Sequence, residues 1–483
     1  MKHIQKHNLE NRFTHPHMEW AGGVIMRKRL IALLSAMMVC GLTACSTEQA
    51  GAEDSSQPED GSAAFAQVNT IVDEPGDDIA DLTFMWWGSA VRGERTQAAF
   101  ELYHSNNPGV TFETESVEWP DYWNQLESRA DSDSLPDIVQ IDYSFLERSV
   151  SNDMLVELTP YLADGSLDLS DVDPGLISAG SVNGKIYAVC GGVNVPALMY
   201  NKTLTDQLGI EIKNNMTLEE FYAVARDIYA QSGVKTDMPY GMAYNFLPYI
   251  LRAQDITKLY NSDSLNVGSA EVFQEFFGIY ETGRAEGWII GNDVHADLTD
   301  VSVEQSPLVC YTEPETQSWC GFFWSNQLTA MTQAAPEDIE IGITTWPSSD
   351  PAKSDFLKPA QFFAVTTDAG EDEAAAVHVI NYLLNSKPAN EIMLGERGVP
   401  ASAVIADAIA PLMDQNGQMV TEFINDVVTP NSSNISPSDP KAATKVYQYA
   451  DELVHRLLDG EITAEQAAQE LFEQGNRVMK GTP

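Results

Sequence analysis

Positive charge is scarce in this chain. Its 483 residues carry 27 lysines and arginines against 71 aspartates and glutamates, a formal net charge of −44. Nucleic acid selects basic faces, so this balance excludes it as a partner, and it equally opposes adhesion to anionic headgroups. Cysteine is scarce too, with five residues at positions 40, 45, 190, 310 and 320. Of eight histidines, His104, His295, His378 and His455 are scattered through the body of the chain, which argues against a histidine-rich metal site. There is no glycine-rich nucleotide loop and no HExxH helix. What remains is a strongly acidic chain, 43% hydrophobic and 9% aromatic, the composition of a folded protein long enough for two or three domains.

The amino-terminal region has its own logic. Arg27, Lys28 and Arg29 precede an apolar run from Leu30 to Val39, the layout of a secretory signal and too short for a permanent span. The run closes in Leu42-Thr43-Ala44-Cys45, which resembles a bacterial lipobox, so Cys45 is the expected site of lipidation. Gly22-Gly23-Val24-Ile25 is compatible with a ribosome-binding tract ahead of Met26, where translation is expected to start. On that reading His3, His7, His15 and His17 are not a metal site. Residues 1–45 hold six of the basic and two of the acidic residues, leaving 21 against 69 beyond them. From Ser46 to Asp78 the chain has no Lys or Arg and few large apolar groups. That composition predicts a disordered acidic tether reaching about 30 Å.

Beyond it, strand and helix patterns alternate. "DLTFMWW" reads as a strand, with a helix around Arg95–Tyr103, a strand in "VTFETESV", a helix in "DYWNQLESRA" and a strand in "DIVQID". This βαβαβ order predicts a mainly parallel sheet covered by helices. Thr217 with Glu220, and Thr463 with Gln466, form capping boxes that open two further helices. Cys310 and Cys320 are close enough in sequence to pair in an oxidising exterior, with three free thiols the alternative; Cys190 reads as a small buried residue.

Five stretches in order, "MWWGSAVRGERTQAAFELYHSNNPGV", "LPDIVQID", "NGKIYAVCGGVNVPALMYNKTL", "WSNQL" and "FLKPAQFFAV…GERGVPASA", resemble the extracellular solute-binding proteins of ABC importers, in the group that includes maltose-binding protein. The resemblance implies an α/β, two-lobe periplasmic-binding-protein-like fold (type II) with mainly parallel sheets and hinge closure. Residues 79–195 and 347–400 form one expected lobe, 196–346 and 401–483 the other. Crossings are expected at Gly191–Pro196, Ile343–Pro347 and Arg397–Ser402. It further implies a monomeric lipoprotein that captures a sugar or oligosaccharide without chemistry or cofactor and delivers it to ABC transporter permease subunits served by separate ATPases.

A sugar site needs flat aromatic platforms and a few placed polar groups. Trp86 or Trp87 at the end of the first strand offers one platform, Trp87 being the preferred shelf, and Trp119, Tyr122 and Trp123 offer others. Asp142 follows the third strand, where it can accept sugar hydroxyls or simply cap the next helix. Asn194, Trp324, Asn326, Trp346 and Arg397 complete the set, Arg397 having a surface ion pair as its alternative. Trp123 is spaced like a core residue relative to Leu126. Two rival functions remain at this stage: the same fold binding a peptide, polyamine or metal chelate, and a lipid-anchored glycoside hydrolase whose two carboxylates hide among so many acids.

Overall fold

The structure, a computed structural model, describes residues 78–88, 90–296 and 303–481. The signal, Met26, Cys45 and almost all of the tether lie outside the described residues.

The first half folds as its alternation predicts. β1 (Ala80–Trp87), α1 (Ala90–Asn106), β2 (Val110–Val117), α2 (Trp119–Ala130), β3 (Ile138–Ile141) and α3 (Tyr143–Ser151) follow one another. β4 (Val189–Asn194) and β5 (Pro196–Asn201) come next, then β6 (Cys320–Trp324), β7 (Ile341–Thr344) and β8 (Lys358–Val365). A five-stranded sheet has the order β2-β1-β3-β8-β4. β1 runs parallel to β2 and β3, while β8 is antiparallel to both its neighbours. A three-stranded sheet has the order β6-β5-β7. Both of its pairings are antiparallel, so the expectation of mainly parallel strands holds for the first sheet and not for the second.

The buried side chains form two clusters. In β5 and β6 the strand pleat divides them: Ala197, Met199 and Phe323 join the first cluster, Leu198 and Phe322 the second. Successive strand residues point to opposite faces, so the small sheet is a wall shared by both cores. Both expected capping boxes are present, opening the helices Leu218–Ser232 and Ala464–Met479. The thiols stay separate. Cys310 is exposed and donates to the Gln305 carbonyl, whereas Cys320 is buried in β6, which corrects the expected disulfide.

Among the stretches of chain that pass from one cluster to the other, three bear on the seam. The first is a single residue, Val195, between β4 and β5. The second runs from the end of β7 to the start of β8. The third lies between Val428, in the first cluster, and Ala443, in the second. The crossing expected at Arg397–Ser402 lies in a stretch with pairings of its own. That stretch pairs within the first body, through Val193 with Val399 and Val172 with Ser402. Its glycine serves approach rather than bending: Gly398 has φ +92°, and a Cβ there would stand 2.8 Å from the Val193 carbonyl. Buried residues between 401 and 428 join the first cluster, as do Leu328, Met331 and Ile341, whereas those of the final helices, Ala443–Leu458 and Ala464–Met479, join the second.

The second and third passages run side by side. Phe356 bridges to Ser433 in parallel, and the Ser433 amide donates to the Asp355 carbonyl at 2.9 Å. Arg252, buried at the end of the helix Ala243–Arg252, ties them together. Its guanidinium donates to Ser354 O at 3.0 Å, Ser436 Oγ at 2.7 Å and Asn434 O at 2.6 Å, with its face on the Phe356 ring. A buried charge needs such full hydrogen bonding to be tolerated.

Candidate functional site

β1 ends in two indoles that take opposite faces. Trp86 is 2% exposed and packs against Phe84, ring centroids 5.2 Å apart. Trp87 is 9% exposed. Its ring is covered by Trp119, Tyr122 and Trp123 of α2, at centroid distances of 4.9, 5.0 and 5.5 Å. Trp123 stacks flat on Phe145 at 3.7 Å. Neither β1 indole is an open shelf, because the first turns of α2 lay three rings over one of them. Trp119, 42% exposed, is the ring of this group that meets solvent.

Trp346 is 1% exposed. It sits among Phe246, Tyr249 and Phe322, with centroids 5.2 to 5.8 Å away, so it is core and not a platform. Arg397 is buried as well, its Nε donating to Gln140 Oε1 at 2.7 Å and its guanidinium over the Phe363 ring. Burial, reinforced by Arg92, pulls its pKa down to about 9. This replaces both the cleft contact and the surface ion pair considered for it. Asp142 caps α3, accepting from the Ser144 amide at 2.9 Å, the alternative weighed from the sequence.

The structure brings the remaining candidates to the seam between the sheets. Asn194 ends β4 and pairs in register with Lys358, the first residue of β8. Pro196 opens β5 opposite Trp324, the last residue of β6. Ser325 staples the crossing: its amide donates to Val195 O at 2.9 Å and its hydroxyl accepts from the Val195 amide at 3.1 Å. Beyond that staple, Asn194, Ser325, Asn326 and Thr329 face Arg95, Glu396 and Asn416 across a cavity of about 390 Å³. Arg95 and Glu396 form an ion pair at 3.1 Å. Amide, hydroxyl and charged groups in one cavity of this size suit a small polyhydroxylated solute.

Trp324 turns the other way from Asn326, because the chain enters a 3-10 turn at Ser325–Gln327. Its half-buried ring lies 6.2 Å from Trp346 and from Phe356, and the Lys358 ammonium sits over it, 5.0 Å from the centroid. Burial lowers the Lys358 pKa and Asp142 opposes that shift, which places Asp142 within electrostatic reach of the same spot. Lys358 was not singled out from the sequence. Its signal is a lone base opening an apolar strand, "LKPAQFFAV", in a chain where bases are rare. Among the described residues no group of three or more His, Cys, Asp or Glu is placed to hold a metal ion, and no helix is long and apolar enough to cross a membrane.

A family model described as bacterial extracellular solute-binding protein matches residues 98–421, about two thirds of the chain. The chain belongs to that family, whose members work outside the cytoplasm. Solved structures give the fold. An extracellular solute-binding protein family 1 member from Alicyclobacillus acidocaldarius superposes with TM-score 0.73 at 18% identity, covering 84% of this chain and 100% of its own. A periplasmic oligogalacturonide-binding protein from Yersinia enterocolitica gives 0.67 at 19%, covering 83% and 99%. The sugar-binding protein MalE from Xanthomonas citri gives 0.66 at 17%, covering 83% and 98%. The two sheets and their joining passages are thus the two-lobe α/β fold of type II periplasmic binding proteins.

Proposed function

We propose that this chain captures a sugar or oligosaccharide at the seam between its lobes, outside the cell, and passes it unaltered to the membrane permease of an ABC importer. The observation that carries this reading is the polar cavity where Asn194 and Asn326 meet across the first crossing. Neutral amides and hydroxyls on both walls match the hydroxyl rim of a sugar, and no covalent step is needed to hold it. An oligosaccharide extending past this cavity would meet further apolar faces in the partly open rings of Trp119 and Trp324, which do not line it. Two rings at about 1–2 kcal/mol each and several hydrogen bonds at about 0.5–1.5 kcal/mol each approach about −8 kcal/mol, or about micromolar dissociation. Two structural relatives are named for saccharides, the oligogalacturonide-binding protein and MalE, which supports the same class here. Anchoring through a lipid on Cys45 would keep the body near its permease.

Calorimetry against a panel of oligosaccharides, with chromatography of the ligand afterwards, tests this. The expected result is saturable heat with one saccharide class and recovery of the intact sugar. Shorter products would mean hydrolysis. Saturation by a peptide or polyamine alone would keep the fold and change the solute.

A further inference from the structure

Several bases of this acidic chain pair with carboxylates, Lys185 with Glu157 at 2.6 Å, Arg226 with Glu286 at 2.7 Å and Arg456 with Glu470 at 2.7 Å, while others such as Lys258, Lys441 and Lys445 stand exposed to solvent. Lys358 does neither. Among the described residues it has no carboxylate within 4 Å and no hydrogen-bond partner, although it is half-buried and begins a strand at the seam. Its ammonium is held against an indole face. Arg397, at the carboxyl end of the same sheet, shows the same pattern, with a buried Nη2 that has no partner and a neutral amide at its Nε. In a protein with so many acids, a carboxylate at either place would satisfy these cations. Each has only an acid that does not touch it, Asp142 for Lys358 and Glu396 for Arg397.

We infer that the bound saccharide is acidic, and that its carboxylate pairs with the Lys358 ammonium, Trp324 being the surface that fixes this ammonium. The inference rests on the reading of the chain as a saccharide binder and names the class of saccharide. A half-buried ammonium on an aromatic face gains from the ring quadrupole while keeping its remaining N–H groups directed outward. A charge-assisted bond to a carboxylate is stronger there than at the surface, since solvent screening is reduced. Asp142, the nearby acid, limits the negative charge the spot accepts, which favours a carboxylate monoanion over a doubly charged phosphate.

The test compares an oligouronate with its own methyl ester, which keeps every hydroxyl and removes only the charge, by calorimetry on the full chain. The acid is expected to bind at least about tenfold more tightly than the ester, with affinity that falls as salt rises. K358M, which retains the aliphatic stem, is expected to abolish that preference, and K358R to retain part of it. Equal affinity for acid and ester in the unaltered protein would overturn the inference while leaving saccharide binding intact. So would an acid preference that survives in K358M. Failure of the oligouronate, its ester and every neutral saccharide to bind would instead overturn the underlying reading and the inference with it.

Discussion

Two groups of aromatic rings flank the seam, and each leaves an indole partly open. In the first lobe Trp119 caps a stack of Trp87, Tyr122, Trp123 and Phe145 that contains no charged side chain. In the second, Trp324 borders Trp346 and Phe356, but its face carries Lys358, and beneath the group Tyr249 donates to the buried carboxylate of Asp355 at 2.7 Å. One group is an apolar shelf. The other is an aromatic mount for charge. The difference teaches that an indole beside a cleft has a role set by what lies on its face, which its exposure alone does not reveal.

The largest expected effect separates packed rings from open ones. Trp346→Ala removes a ring enclosed by three others and should destabilise the fold by about 3–5 kcal/mol, whereas Trp119→Ala should cost less than about 1 kcal/mol. Denaturant unfolding of both variants checks this, and equal losses would erase the distinction between the groups. Next comes the charge beneath the second group. Burial raises the Asp355 pKa to about 7 despite the opposing effects of Tyr249 and Arg252. A carboxyl whose folded pKa lies above its unfolded one favours folding while protonated, so its contribution is lost as pH rises from about 4 through about 7. At about 1.4 kcal/mol per pH unit the loss is bounded near 4 kcal/mol. Asp355→Asn should flatten stability across that window, measured by urea unfolding at several pH values. An unchanged pH profile would place the proton elsewhere. The smallest effect is on binding: Trp324→Ala should weaken the ligand by about tenfold, the 1.4 kcal/mol scale, with far less loss of stability than Trp346→Ala.

The first half of the fold was legible because its signals are local. Strand alternation and the two capping boxes depend on neighbours a few residues away, and each element formed where its pattern stands. The pairing of "RGVPAS" was not legible for the opposite reason. "RGVPAS" carries the glycine and proline expected of a bend, yet its place is decided by pairing with Val193, some two hundred positions earlier in the chain. The passage "TPNSSNISPSDP", ahead of the final helices, reads from sequence only as a loop. Of the candidate site, Asn194 and Asn326 reached the cavity, the first closing β4 and the second in the 3-10 turn just after β6. Trp87 did not, because the pleat fixes the face a ring takes and says nothing of the rings that α2 lays over it. Lys358 escaped notice because a single base has no motif; its partial burial against an indole face, a property of space, marks it.

The guanidinium of Arg252 has a mechanical corollary. By belting the chain near Ser354 to the chain near Ser436, it merges two of the three connections into one ribbon. Two attachment points remain at the seam, the lone Val195 strand and that ribbon, and two points define a line. Any swing of one half against the other is thereby restricted to a door's motion about that line, with twisting suppressed for as long as the belt holds.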